Sequence, residues 1–168
     1  LFSQSATAPS MPASYTKQRR LGGFRPDGSN NVLAFTQDGD YFRLSASILD
    51  VNTTNPGSAA VTATLTVPTG VSMHWLGIGL LHTTGTGGSV HISDLAATDE
   101  TPLSITSATL ALPGFVVPGG IANQNATSSQ ILVHTNTSGQ VRYRLTGGDA
   151  NSIVGLVTLG WFDRRGKG

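Results

Sequence analysis

The chain's acid–base chemistry rests on few groups: His74, His82, His91 and His134, nine carboxylates with Glu100 the single glutamate, and no cysteine. Without cysteine there is no disulfide framework, no zinc ribbon and no thiol nucleophile. His74 and His82 lie eight residues apart across one apolar segment, while His91 and Asp94, three apart, point to opposite faces of a strand. No histidine pair has the helical i, i+4 spacing or the same-face i, i+2 spacing of a local metal site. The expectation is therefore no metal and no cofactor. Asp38/Asp40 and Asp99/Glu100 are the carboxylate pairs that glycoside hydrolysis would need on facing elements. Both pairs read as turns, and Asp38-Gly39-Asp40 reads as a hairpin turn. No Gly-x-Ser-x-Gly elbow is present, and Gly85-Thr86-Gly87-Gly88 lacks the lysine and helix of a phosphate loop. The chain is expected to have no catalytic residue and not to be an enzyme. Asn52, Asn125 and Asn136 begin glycosylation sequons, which matter only in a secreted eukaryotic protein. Tyr15, Tyr41, Tyr143, Trp75 and Trp161 are the flat rings on which a sugar could stack. Trp75 and Trp161 lie in the two most apolar segments and read as core, Trp161 less firmly because Asp163-Arg164-Arg165 follows it.

The elements that must position these groups are strands. Ala59, Val61, Ala63, Leu65 and Val67 alternate with Ala60, Thr62, Thr64 and Thr66, placing one face in a core and threonines opposite. Phe42, Leu44, Ala46 and Ile48 alternate in the same way with Arg43, Ser45 and Ser47; Val141, Tyr143 and Leu145 alternate with Arg142 and Arg144. Residues 71–81 and 153–162 are apolar on both faces and predict central strands covered on both sides. Their glycines (Gly77, Gly79, Gly155, Gly160) predict a bulge or the close approach of a backbone or large side chain. Further strands are predicted over 32–37, 90–94, 104–111 and 130–135. Turn signals such as Asp27-Gly28, Asn55-Pro56-Gly57 and Ser138-Gly139 fall between them. Residues 95–100 form at best one short helical turn. Many short strands with frequent turns predict an all-β fold, an antiparallel two-sheet sandwich of jelly-roll-like type. Residues 1–14 read as a connector or leading strand and residues 15–168 as a single β-sandwich domain.

Composition narrows the class further. Charged residues are 11% of the chain, under half of the usual content of about 25%, which argues against a solvated helical bundle or a charged disordered tail. No apolar run approaches the roughly 18 residues of a membrane span, so no membrane insertion is expected. Residues 1–30 hold Lys17, Arg19, Arg20 and Arg25 against Asp27, and residues 142–168 hold five bases against Asp149 and Asp163. Between them Arg43 stands against Asp38, Asp40, Asp50, Asp94, Asp99 and Glu100. Net charge is only +1 and no recognition motif accompanies the basic ends, so no specific nucleic acid is expected. Basic ends meeting acidic middles of neighbouring subunits is one meaning of this asymmetry; solvated sheet rims are the other. The chain opens on Leu1 without a signal-peptide pattern, and is expected to be one piece of a longer polypeptide rather than a processed product.

Two segments carry a resemblance. Ser5-Ala6-Thr7-Ala8-Pro9, Met11-Pro12-Ala13-Ser14-Tyr15-Thr16 and Arg19-Arg20-Leu21-Gly22 stand at one end, and Thr158-Leu159-Gly160-Trp161-Phe162-Asp163-Arg164-Arg165-Gly166 at the other. Together they resemble tailed-bacteriophage virion proteins, in the C-terminal β-structured part of a longer structural polypeptide. The Asp38–Phe42 segment and the Asn136-Thr137-Ser138 turn fit as well. The sequence departs at Met11, where leucine is more usual, and at Gly23, where a small polar residue is common. The resemblance implies a virion component, and by analogy with fibre tips a homo-oligomer, a trimer, packed against other virion proteins. The expected role is a non-enzymatic tail-fibre or appendage tip contacting host surface polysaccharide. The alternative is a capsid decoration protein clamping shell subunits, and the third reading is a depolymerase using Asp38, Asp40, Asp99 or Glu100. The residues expected to contact ligand or a neighbouring subunit are Tyr15, Arg19, Arg20, Trp161, Asp163 and Arg164. Arg19-Arg20 are expected near residues 161–165, either at a subunit contact or salt-bridged to Asp163 within one chain, with Leu21 and Leu159 as core anchors beside them.

Overall fold

A computed structural model describes residues 10–17, 22–83, 88–101, 115–118, 126–147 and 149–164. Nine strands are described: β1 (Phe35–Asp38), β2 (Tyr41–Thr54), β3 (Val61–Thr64), β4 (His74–His82), β5 (Ser89–Ser93), β6 (Phe115–Pro118), β7 (Ala126–His134), β8 (Gln140–Thr146) and β9 (Ile153–Phe162). They form a five-stranded sheet in the order β1-β2-β9-β4-β7 and a four-stranded sheet in the order β3-β8-β5-β6. Every pairing is antiparallel. The chain changes sheet at every connection between described strands except β1–β2 and β5–β6, which is the double Greek-key weave of a jelly roll with β1 added outside β2.

Apart from Ala46 and Ala59, both exposed, the alternating segments bury the faces they predict. Ala63, Leu65 and Val67 line the core from the β3 side, Val141, Tyr143 and Leu145 from β8, and Val90 and Ile92 from β5. Phe42, Leu44, Trp75, Leu81, Ile131, Val133, Val154, Leu156 and Trp161 face them from the five-stranded sheet. Each large side chain withdrawn from water contributes about 1.5–3 kcal/mol. Asp38-Gly39-Asp40 is the β1–β2 hairpin turn, with Gly39 at φ +58°, a left-handed conformation glycine adopts without steric cost.

Three expectations change. Ala46 is exposed rather than inward, because the register of β2 against β9 breaks between Arg43 and Ile48. β6 is a strand that the alternation did not announce, whereas the strand predicted over 104–111 lies outside the described residues. β4 and β9 are indeed central, but the strict alternation of buried and partly exposed residues in β4, and the partly exposed Ile153, Val157 and Phe162 of β9, show one face in the core and the other still accessible.

One polar chain crosses the core beside β9. Trp75 Nε1 donates to Thr158 Oγ1 at 2.7 Å, the Thr158 hydroxyl donates to Asp50, and Asp50 also accepts from Thr66 N at 3.0 Å and Thr66 Oγ1 at 2.6 Å. Burial pushes the Asp50 carboxyl above its ordinary value, with the two threonines opposing that shift.

The outer face of the four-stranded sheet is polar and held by its own chain. Arg142 Nη2 donates to the carbonyls of Asp94, Leu95 and Ala97 at 3.2, 3.3 and 2.7 Å. Arg144 donates to Asp99 at 3.0 Å and to the Ser58 carbonyl at 2.9 Å. Two bases of the basic C-terminal region thus meet the acidic middle within one chain, and these two need no neighbouring subunit for it.

Candidate functional site

The residues with the most chemistry gather at one end of the outer face of the five-stranded sheet. Pairing places Tyr41 of β2 opposite Phe162 of β9, Phe162 opposite His74 of β4, and His74 opposite His134 of β7. Four rings therefore stand side by side on one rung, at the strand spacing of about 4.8 Å. Tyr41 and Phe162 stack with centroids 4.8 Å apart, and the two imidazoles meet edge to face at 4.0 Å. On the next outward rung Gly160 stands between Arg43 and Leu76, with Leu132 beyond.

Asp40, His74, Leu132, Phe162 and Arg164 line an open pocket of about 320 Å³ here. Asp40 ends the β1–β2 turn, and its carbonyl accepts a hydrogen bond from Asp163 N at 2.8 Å, tying that turn to the end of β9. Arg164 follows one residue later and is exposed. Burial lowers the pKa of His74, and the positive charge of a protonated His134 and of Arg164 lowers it further. The imidazole is thus biased toward the neutral form, with one nitrogen a donor and the other an acceptor. The pocket offers an aromatic wall, a carboxylate, a guanidinium and an imidazole, a set suited to hydrogen-bonding hydroxyl-rich molecules while a ring packs on the aromatic wall. Among the described residues no group of three or more histidine, aspartate or glutamate side chains is placed to hold a metal ion.

No protein-family model matches this chain, and no curated protein matches it.

Of the described residues expected to make contacts, Arg164 alone lines the pocket. Trp161, one residue from Phe162, points the other way; it is fully buried and stacks on Phe42 at 5.7 Å and 9°, so it is a core residue and its ring offers no contact surface. Asp163 is 1% exposed and accepts a hydrogen bond from Gly23 N at 2.8 Å, which anchors the N-terminal segment rather than meeting a ligand. Tyr15 is 68% exposed in the turn closed by Tyr15 N and the Pro12 carbonyl, and is not among the pocket residues. Arg19, Arg20 and Leu21 lie outside the described residues, although Gly22 and Gly23 do lie against Asp163. Leu159 is partly exposed at a register shift and does not belong to the core.

The carboxylates weighed for hydrolysis do not converge. Asp40 lines the pocket, whereas Asp99 lies across the molecule on the outer face of the four-stranded sheet, bound to Arg144. Among the other rings weighed for sugar stacking, Tyr143 and Trp75 are buried and Tyr41 reaches the site. The sequence reading missed the His74–His134 pair and Phe162. The signal for half of it was present, since His74, Leu76, Ile78, Leu80 and His82 recur at the two-residue spacing of one strand face. Nothing local announces that β7 lies beside β4.

Proposed function

We propose that this chain is a non-enzymatic structural domain of a bacteriophage virion, at the tip of a tail fibre or related appendage, where it contacts host surface polysaccharide. The pocket lined by Asp40, His74, Leu132, Phe162 and Arg164 carries the glycan part of this reading, because it joins an aromatic wall to convergent polar groups. The resemblance at both ends of the sequence supports the virion part, and a jelly roll is a fold that serves both capsid and lectin domains. Among the described residues Asp40 is the one carboxylate lining the pocket, while glycoside hydrolysis uses two, which favours binding over cleavage. The working form is a homo-oligomer, by analogy with trimeric fibre tips.

The test is binding of the purified chain to host cells and to their isolated surface polysaccharide. Arg164→Ala and Phe162→Ala are expected to weaken binding at least about tenfold, the loss of one good polar or stacking contact. Absence of binding by the unaltered protein overturns the adhesin reading. A second reading, a capsid decoration protein, is favoured by the apolar outer face of the five-stranded sheet, which suits a clamp between shell subunits. Particles lacking such a protein lose resistance to heat or osmotic shock yet adsorb normally.

A further inference from the structure

We infer that the outer face of the five-stranded sheet is covered, in the working protein, by the same face of a second copy of this chain. A face paired with itself closes at two copies, so this rests on the homo-oligomer proposed above but makes its unit a dimer rather than the trimer of the analogy, and it does not rest on the glycan.

The face is readable rung by rung. Below the row of rings come Arg43–Gly160–Leu76–Leu132, then Leu49–Val157–Ile78–Gln130, then Asn52–Gly155–Leu80–Ser128, then Thr54–Ile153–His82–Ala126. Across β9, β4 and β7 these rungs hold no aspartate, glutamate, lysine or arginine. Leu49 and Leu132 are 56% and 42% exposed, and Leu76, Ile78, Leu80, Ile153 and Val157 remain partly exposed between them. The surface is also levelled. A Cβ on Gly155 would come within 3.0 Å of Leu80 Cδ1, so the missing side chain lets Leu80 lie down across β9. Flat apolar sheet faces are the surfaces that pack on one another, about 10 Å apart.

Size and charge point to the partner. Four strands at about 4.8 Å, each rising about 3.4 Å per residue, give β2–β9–β4–β7 a face of about 600 Å² in projection. Asn52, Thr54, Gln130 and Ser128 make part of that face polar, so its apolar part, centred on β9 and β4, lies within the about 300–600 Å² of patches that monomers carry, and the face as a whole is larger than that part. With side-chain relief added it approaches the about 800 Å² that each partner contributes to a stable interface. The charged groups, Arg43, Arg164 and Asp40, sit at one end or on the β2 side. Two copies brought face to face therefore meet through uncharged rungs, with no like charges opposed in the middle. An uncharged, level face selects a partner by shape and apolarity alone, and a second copy supplies both at the same concentration as the first. The opposite side of the molecule needs no such cover, because Arg142 and Arg144 already fasten residues 94–99 over it. The pocket beside His74 then opens at the rim of the subunit contact.

The experiment is the solution mass of the full chain by light scattering, for the unaltered protein and for Leu49→Glu, Leu132→Glu and Thr62→Glu. Leu49 and Leu132 are exposed, so their substitution leaves the core intact, and circular dichroism checks that each variant folds. The unaltered protein and Thr62→Glu, altered on the polar face, are expected at twice 17.4 kDa, and the two leucine variants shifted to the monomer. A monomeric unaltered protein, as would follow if another segment of the chain or a different protein covers the face, overturns the inference. So does a trimer, or an oligomer that the leucine variants leave unchanged. Leu132 also lines the pocket, so Leu49→Glu, which lies outside it, is the variant that separates the two readings: its mass reports the subunit contact, and failure of the unaltered protein to bind polysaccharide leaves that mass untouched.

Discussion

His74 is the residue where the site and stability meet. Its neighbours in the pocket are Asp40, Phe162, Leu132 and Arg164, with His134 facing it from β7. Desolvation first, then a protonated His134 and Arg164, hold its pKa below the ordinary 6.5. The unfolded chain therefore binds a proton on this residue more readily than the folded chain does. Its contribution to stability is complete above the ordinary value and is lost as pH falls through the lowered one. Melting temperatures of the unaltered protein and of His74→Gln, compared between about pH 7.5 and about pH 5, should show the unaltered protein losing more on acidification. A difference that stays constant across that range refutes the assignment. Asp50 has the opposite sign, since a raised carboxyl pKa favours the folded state toward acid. The two residues thus respond to acid in opposite directions, one from the surface row and one from the interior.

At the scale of elements, the join between β2 and β9 decides which side chains reach which face. β9 pairs with β4 in regular register from Ile153↔His82 to Thr158↔Gly77, then shifts so that Gly160 rather than Leu159 opposes Leu76. That one extra residue reverses the alternation, as a β-bulge does. Thr158 and Trp161 both point inward in consequence, and Phe162 points out beside Tyr41 and His74. The shift depends on Gly160, where a Cβ would lie 2.2 Å from the Phe42 carbonyl oxygen and 3.1 Å from Arg43 Cα. Gly160→Ala must push two strand backbones apart and is expected to destabilise the protein by about 3 kcal/mol, as forced overpacking does. Gly28→Ala, where nothing lies within 4 Å, is the control and should change stability little. Denaturant unfolding of both variants checks the contrast, and equal effects would show that the close approach is not what the glycine provides. Gly77 answers to the same logic from the core side, because the Trp75 ring occupies the place of its side chain.

At the scale of the molecule, the two outer faces are unlike. One is polar and fastened by its own chain; the other is apolar, level and accessible. A fold that leaves such a face open gains stability by associating, and association makes melting depend on concentration. The melting temperature of the unaltered protein should rise with protein concentration, while that of Leu132→Glu should not. A melting temperature independent of concentration in both would argue that the apolar face contributes nothing by pairing. The pocket lies at one end of the apolar face, beside the row of rings.

The sequence by itself determined the strands and the side of each that is apolar, because alternation with period two is a property of the local backbone. Ala63, Leu65 and Val67, Val141, Tyr143 and Leu145, and Trp75 needed no partner to be read as core, and Asp38-Gly39-Asp40 was legible as a turn. The tertiary structure alone decided which strands are neighbours and hence which distant residues share a rung. His74 meets His134 across 60 positions of sequence, and Tyr41 meets Phe162 across 121, through pairings set by the packing of the whole core. It also decided that Trp161 turns in and Phe162 turns out, since a single bulged residue reverses the parity that the sequence pattern carries. Two strands apolar on both sides were plain in the sequence. That a single chain covers only one of those sides follows from a two-layer fold, in which each sheet has one inner face to bury.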